Sequence, residues 1–195
     1  MRLKRICVFC GSSSGGNPAY RQQAAAFCRI LAARGIELVY GGGRVGLMGA
    51  VADSVLAAGG HVVGIIPRAL VEREVEHRGI QDLRVVASMH ERKQQMASLS
   101  DAFVAMPGGF GTLEEFCEVL TWSQLGLHRK ACGLLNVAGY FDPLLKFFDG
   151  AVAEEFLKPA HRNLVLDDTD PARLLDRLAG LEVPTVEKWI RPSEA

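Results

Sequence analysis

The chain has 195 residues, of which 49% are hydrophobic and 23% charged, a balance typical of one globular domain with a substantial core. The 22 lysines and arginines equal the 22 aspartates and glutamates, so no net field favours nucleic acid or an anionic membrane. Any anion-binding site must therefore be local. The five cysteines are scattered, and Cys7-x-x-Cys10 lacks a second pair or a histidine cluster, which favours packing cysteines over a metal or redox site.

The start of the chain, "MRLKRICVFCGSSSGG", is interpreted as a first strand rather than a signal peptide, because its apolar stretch is short and breaks into glycine and serine. Apolar runs continue along the chain, with helical periodicity between them. The predicted strands lie at residues 5–10, 36–40, 61–67, 83–87, 101–106, 131–136 ("ACGLLN") and, as an edge strand, 163–166. Asn17-Pro18, Asp142-Pro143 and Asp170-Pro171 are typical helix starts.

Strands that alternate with helices, several of them continuously apolar, indicate a parallel sheet covered on both faces. We therefore predict an α/β fold: one Rossmann-like, doubly wound domain over residues 1–183, followed by a peripheral polar tail at 184–195. No apolar run reaches the roughly 18 residues of a membrane span, and we expect a cytoplasmic protein.

Glycine-rich segments follow three of the predicted strands: "CGSSSGG" (10–16), "YGGGRVGLMG" (40–49) and "PGGFG" (107–111). In a parallel sheet these segments should meet at the carboxyl edge, where backbone amides and helix N-termini favour phosphate. Turns in α/β proteins also need glycine, but three such loops favour a phosphate-bearing ligand. The second segment fits G-x-G-x-x-G only loosely and no acidic residue ends the next strand, which disfavours NAD, and there is no P-loop motif.

Two cations stand near the start of a predicted short helix in "SMHERKQQM" (88–96). Arg92 and Lys93 oppose the helix dipole there, at a cost of about 0.3–1 kcal/mol each, unless an anion lies nearby. The alternative is a solvated basic turn paired with Glu91.

The segment "MPGGFGTLEE" (106–115) raises a similar choice. Thr112 and Glu115 have the spacing of a capping box, with threonine as the N-cap of the next helix, and this explains them without chemistry. It does not explain the glycines before them. We expect Leu113, Phe116, Cys117 and Leu120 to face the core, Glu114 to face solvent, and Glu115 to lie at the start of the helix.

The pattern P-G-G-x-G-T-x-x-E at 107–115, with "MHERK" upstream, resembles the Lonely Guy (LOG) family of cytokinin riboside 5′-monophosphate phosphoribohydrolases, long labelled lysine decarboxylases. The resemblance extends over nearly the whole chain, through "CGSSSG", "TWSQLGLHRK" and "GLLNVAGYFDPLL". It implies an enzyme, a hydrolase acting on N-glycosyl bonds, that converts N6-substituted adenosine monophosphates to free base and ribose 5-phosphate in cytokinin biosynthesis.

The resemblance implies that Arg92 and Glu115 are catalytic, and it assigns most of the nucleotide contacts. The implied substrate-binding residues are Glu74, Lys93, Gly109, Phe110, Gly111, Thr112, Leu113, Glu114 and Thr121. The positions of the glycine loops add Gly108 as a phosphate contact, with Gly11, Ser12, Gly42, Gly43 and Gly46 along the remaining ligand edge. The position of Glu74 is open, since "VEREVEH" offers several acids.

The expected chemistry needs no metal or organic cofactor, and the expected partners are a small nucleotide and, from the resemblance, a second copy of the chain. A pyridoxal decarboxylase would need a Schiff-base lysine, and only Lys93 lies near the glycine loops. Two alternatives stay open: a general AMP nucleosidase, and an AMP-binding protein without turnover. The apolar segments 120–127 and 139–152 suggest a partner surface or, equally, sheet-packing helices.

Overall fold

The structure, a computed structural model, describes residues 3–71 and 75–181. They form one seven-stranded, fully parallel sheet in the order β4-β3-β2-β1-β5-β6-β7, which confirms the doubly wound α/β fold. The strands are β1 (Arg5–Phe9), β2 (Glu37–Tyr40), β3 (Val62–Pro67), β4 (Asp82–Val86), β5 (Ala102–Ala105), β6 (Ala131–Leu135) and β7 (Val165–Asp168).

Helices cover both faces of the sheet. They are α1 (Pro18–Ala33), α2 (Gly46–Ala57), α3 (Arg68–Val71), α4 (Met89–Leu99), α5 (Phe110–Gln124), α6 (Asp142–Ala153), α7 (Pro159–Arg162) and α8 (Pro171–Gly180), with a 3-10 turn at Val137–Gly139. Helices α1, α2 and α8 pack on one face, and α4, α5 and α6 on the other. Cys7 and Cys10 lie in opposite core layers, as the strand period requires.

Two helix starts show why these segments fold locally as they do. The Asn17 side chain accepts a hydrogen bond from the Ala19 amide at 3.0 Å, and Pro18 occupies the first helical position. Asp170 caps α8 in the same way, accepting from the Arg173 amide at 2.8 Å. Both predicted caps are confirmed.

The last strand was predicted two residues too early, since β7 covers Val165–Asp168 rather than 163–166. The reason is the short helix α7, for which Asn163 serves as the C-cap and is therefore unable to join the sheet. The predicted tail at 184–195 lies outside the described residues. Within the described ranges, no helix has both the length and the apolar character that a membrane crossing requires.

The strand order reverses direction between β1 and β5, because β2, β3 and β4 lie on one side and β6 and β7 on the other. The strands β1 and β5 are neighbours, but the loops that follow them lead to helices on opposite faces of the sheet and therefore diverge. Such a point opens a crevice at the carboxyl edge of the sheet, which is where α/β proteins of this type bind ligands.

Candidate active site

The three glycine-rich segments meet at this crevice, as their positions after parallel strands predict. The Gly11 amide donates to the Pro107 carbonyl at 3.1 Å, and the Leu47 amide donates to the Gly11 carbonyl at 3.0 Å. A cavity of about 320 Å³ opens where they join, lined by Gly11 to Gly15, Tyr20, Leu47, Pro107 to Gly109, and Tyr140. Of the predicted ligand-edge residues, Gly11 and Ser12 line this cavity.

Helix α5 begins earlier than the capping-box interpretation required, and that interpretation is wrong. Its N-cap is Gly109, without a side-chain cap, and Phe110 is the first helical residue. Thr112 lies buried inside the first turn, so close to Gly108 that a Cβ on that glycine would be 2.1 Å from the Thr112 hydroxyl oxygen. Glu115 is thus placed in the second turn, where it cannot reach back to cap the helix.

Glu115 instead forms a buried ion pair with Arg92. Nη1 of Arg92 donates to Oε1 of Glu115 at 2.6 Å, and the two residues are only 7% and 8% exposed. Nε of Arg92 donates to the Ile65 carbonyl at 3.1 Å, at the end of β3. The guanidinium also occupies the space beside Gly41, because a Cβ there would lie 1.9 Å from Nη2.

Burial raises the pKa of the Glu115 carboxyl above its usual range, although the Arg92 guanidinium acts in the opposite direction. Burying a carboxylate favours its neutral form, and the adjacent cation restores much of the charged form. Among the described residues, none donates a hydrogen bond to Oε2 of Glu115 or accepts one from Nη2 of Arg92. The pair therefore keeps both an acceptor and a donor for a ligand.

The capped start of α4 explains why the Arg92 side chain is positioned against the sheet. Ser88 accepts from the Glu91 amide at 3.1 Å, and Glu91 accepts from the Ala87 amide at 2.8 Å, so that "SMHE" closely resembles a capping box. Glu91 is thus used as a cap, and the alternative of a solvated basic turn paired with Glu91 is wrong. Arg92 follows in the first turn and faces the sheet.

Lys93 lies on the same turn but faces α5. Its ammonium donates to Glu114 at 2.5 Å and to Glu118 at 2.9 Å. Burial alone would lower the pKa of Lys93, but the hydrogen bonds to the two carboxylates outweigh this and raise it. A lysine held charged in this way is poorly suited to form a Schiff base.

The buried stripe of α5 differs from the predicted one. It consists of Thr112, Glu115, Phe116, Val119 and Ser123, whereas the predicted core residues Leu113, Cys117 and Leu120 are only half buried. The shift follows from Glu115 turning toward Arg92. Glu114 is exposed, as predicted, and the Phe110 side chain projects into solvent at 93% exposure.

Gly42, Gly43 and Gly46 lie close to the crevice, but their backbone is already engaged. The Gly42 carbonyl accepts from the His77 amide at 2.8 Å, and Gly43 bridges to Glu76. Gly46 has a φ of 62° and packs against Ser12, where a Cβ would lie 2.3 Å from the carbonyl carbon. These glycines shape the crevice and present few free groups to it.

One predicted contact, Thr121, lies away from the crevice, and another cannot be compared with it. Glu74 lies outside the described residues. Thr121 lies six residues beyond Glu115 on α5, about 9 Å along the helix axis, and its exposed hydroxyl donates to the Cys117 carbonyl at 2.8 Å. Sequence reasoning missed Gly41 and Tyr140; the strand-end position of Gly41 could have identified it, whereas Tyr140 follows β6 without a glycine cluster that would single it out.

The fold and this site together define a class: a Rossmann-like α/β protein with a buried arginine–glutamate pair at the carboxyl edge of its sheet. Residues 48–178 match the family model described as "Possible lysine decarboxylase". The chain belongs to this family, which includes the cytokinin riboside 5′-monophosphate phosphoribohydrolases.

Plant proteins are among the curated relatives of the chain. It is 54% identical over 177 residues to the probable cytokinin riboside 5′-monophosphate phosphoribohydrolase LOGL9 of Oryza sativa subsp. japonica, covering 91% of this chain and 78% of that protein. It is 51% identical over 181 residues to the cytokinin riboside 5′-monophosphate phosphoribohydrolase LOG7 of Arabidopsis thaliana, covering 93% and 83%.

A solved structure confirms the architecture. The molybdenum cofactor carrier protein of Chlamydomonas reinhardtii matches with a TM-score of 0.70 at 22% identity, covering 92% of this chain and 100% of that chain. At this identity the likeness supports the fold alone.

Proposed function

We propose that the chain hydrolyses the N-glycosidic bond of cytokinin riboside 5′-monophosphates, releasing the free N6-substituted base and ribose 5-phosphate. Its relatives carry this activity in their names. The observation that carries the proposal is the buried pair formed by Arg92 of α4 and Glu115 in the second turn of α5, held 2.6 Å apart. It places a carboxylate and a cation beside Gly41, at the carboxyl edge of the sheet that also carries the glycine segments.

The chemistry of the bond explains the carboxylate. N-glycosidic bonds break through an oxocarbenium-like state, in which positive charge grows on the ribose. Glu115 would stabilise that charge or take a proton from the attacking water, and its raised pKa suits the second role. The water oxygen then bonds to C1′ of the ribose, and the base leaves with a proton. Arg92 would orient the nucleotide and keep Glu115 ionised.

The start of α5 is suited to the 5′-phosphate. The amides of Gly109, Phe110, Gly111 and Thr112 are the four that a helix leaves without internal partners, and no described residue accepts from them. A phosphate there would gain these hydrogen bonds and the positive end of the helix dipole. Gly108 and Leu113 flank this set, and Gly11 and Ser12 line the adjoining cavity.

The residues Lys93 and Glu114 are proposed to act as a unit. Lys93 is shared between Glu114 and Glu118, so it would contact the nucleotide as part of a cluster with a net negative charge rather than as a free cation. Gly42, Gly43 and Gly46 would contribute shape, since their close contacts leave no space for side chains. Glu74 stays a proposed contact on the resemblance alone.

Incubation with isopentenyladenosine 5′-monophosphate, followed by an assay of ribose 5-phosphate, tests the function. We expect release by the wild type and a loss of about 10²–10⁴-fold for Glu115→Gln. Equal rates on unsubstituted AMP would favour the general nucleosidase, and binding without product would favour the non-catalytic alternative. A Glu115→Gln variant that is less stable but fully active would overturn the catalytic assignment.

We further propose that the chain is a homodimer, because one face of it is apolar and open. Helix α6 has no fully buried residue, and Phe147 and Phe156 are 68% and 88% exposed. They border a groove of about 320 Å³ that also includes Leu120 and Thr121 on α5. A second copy on this groove would cover the apolar surface and would also meet Thr121.

Sedimentation at micromolar concentration tests the dimer. The wild type should sediment as a dimer and Phe147→Asp as a monomer, because burying an unpaired carboxylate in an interface is costly. The exposed Lys146→Glu variant is a charge-change control. A monomeric wild type would exclude this surface as a self-association site.

The five cysteines are free thiols, which supports a reducing compartment such as the cytoplasm.

A further inference from the structure

Tyr140, in the loop after β6, contacts the proposed phosphate-binding segment at the start of α5. Its hydroxyl donates to the Gly108 carbonyl at 2.6 Å, immediately before the N-cap of α5. Tyr140 follows β6, so its side chain reaches across from the next strand of the sheet to the loop that follows β5. Neither the glycine pattern nor the resemblance assigns it a role.

The turn that carries Tyr140 is held in an unfavourable conformation. Ala138 and Gly139 both have left-handed backbone, with φ of 52° and 71°. For alanine this costs about 1–2 kcal/mol, so the surrounding contacts must enforce it. The Asn136 side chain does so, since it donates to Asp142 at 2.7 Å and accepts from the Phe141 amide at 2.8 Å. Tyr140 is therefore held over the loop by a constrained turn.

The hydrogen bond from Tyr140 has a consequence for the neighbouring amide. A peptide unit is planar and trans, so its carbonyl and N–H point in opposite directions. Fixing the Gly108 carbonyl therefore fixes the direction of the Gly109 N–H, one of the four open amides of α5. Between two glycines this peptide could otherwise rotate as a unit at little cost, because neither has a Cβ to restrict it.

We propose that Tyr140 is a positioning residue, which locks the Gly108–Gly109 peptide so that the Gly109 amide faces the 5′-phosphate of the substrate. This inference rests on the proposed function. A merely structural role would instead depend on the ring, which packs edge-on against Tyr20 and Phe141 at centroid distances of 5.5 and 5.1 Å. Phenylalanine keeps the ring and removes only the hydroxyl.

The test compares Tyr140→Phe with the wild type. We expect KM for isopentenyladenosine 5′-monophosphate to rise about five-fold, the value of one typical hydrogen bond, with kcat within two-fold. The inhibition constant of ribose 5-phosphate should rise by the same factor, while that of adenosine, which has no phosphate, should stay unchanged. Unaltered constants for ribose 5-phosphate, or an equal change for adenosine, would overturn the proposal.

Tyr40→Phe is the matched control. Tyr40 lies at the end of β2 and is fully buried, whereas Tyr140 is 38% exposed, and the Tyr40 hydroxyl has no hydrogen-bond partner among the described residues. Its removal should change neither inhibition constant, and a change equal to that of Tyr140→Phe would contradict the inference. If wild-type protein binds the monophosphate no more tightly than the nucleoside, the proposed phosphate site fails, and this inference with it. If wild type shows that preference and Tyr140→Phe retains it, only this inference fails.

Discussion

Helices α2 and α5 begin alike and differ in what their first amides contact. Both follow a glycine-rich loop at the carboxyl edge of the sheet, and neither has a side-chain cap. At α2 the Leu47 and Met48 amides donate to the Gly11 carbonyl at 3.0 and 3.3 Å, whereas no described residue accepts from the first four amides of α5. Glycine content therefore does not by itself mark an anion site; the deciding feature is whether a neighbouring carbonyl already occupies the amides.

The largest expected effect is on the Arg92–Glu115 pair, where the contribution to stability can be measured separately from the contribution to catalysis. Arg92→Met would leave Glu115 buried and unpaired, which costs about 3–5 kcal/mol of unfolding free energy. The double variant Arg92→Met/Glu115→Leu should regain most of that stability, because a buried ion pair can be replaced by apolar side chains. Both variants should be inactive. Thermal unfolding measures the stability of each variant, and the ribose 5-phosphate assay measures its activity. A double variant no more stable than the single variant would contradict the prediction.

A second prediction tests the open amides directly. Gly109→Asp would place a carboxylate at the N-cap of α5, where a Cβ meets nothing within 4 Å. We expect a gain of a few tenths of a kcal/mol in stability and a rise in KM of about 10–100-fold, because the carboxylate would take the amides and repel the phosphate. Kinetics and thermal unfolding are measured on the same preparation.

The matched change at α2 is Val45→Asp, at the N-cap of that helix. Its amides are already engaged, so both stability and KM should stay close to the wild type. A rise in KM equal to that of Gly109→Asp would mean that the two helix ends are equivalent, which would remove the basis of the comparison.

The last prediction compares two of the glycines themselves. Gly46→Ala should lower the unfolding free energy by about 1–3 kcal/mol, because φ is 62° and the Cβ would lie 2.3 Å from the Ser12 backbone. Gly111→Ala, inside α5, should be neutral or stabilise by up to about 1 kcal/mol, because nothing lies within 4 Å of its Cβ. Urea unfolding compares the two; equal losses would mean that both glycines are structural.

The sequence predicted those features that depend on short stretches of chain. Apolar runs located the strands, and Asn17 and Asp170 were correctly identified as caps because a cap and its amide are two or three residues apart. The choice of Arg92 and Glu115 came from the family resemblance. The structure adds that they touch each other, a contact spanning 23 residues that no local pattern shows.

The wrong predictions about helix caps also have physical causes. The capping-box spacing of Thr112 and Glu115 was genuine but unused, because the flexible glycines allow α5 to begin at Phe110. The Ser88 and Glu91 arrangement at α4, with a similar spacing, was overlooked, although "SMHE" is visible in the sequence. Spacing shows which contacts are available, while the burial of Glu115 against Arg92 decides which one forms.

Gly41 changes how a glycine run can be interpreted. The guanidinium of Arg92 occupies the volume where the side chain of residue 41 would be, since a Cβ there would lie 1.9 Å from Nη2. The two positions are therefore coupled through space: one residue must lack a side chain so that the other can hold its charge in place. Gly41→Ala should therefore have the same kind of effect as a mutation of Arg92, because it would displace the guanidinium. Any lineage that exchanged one of the two residues would have to compensate at the other.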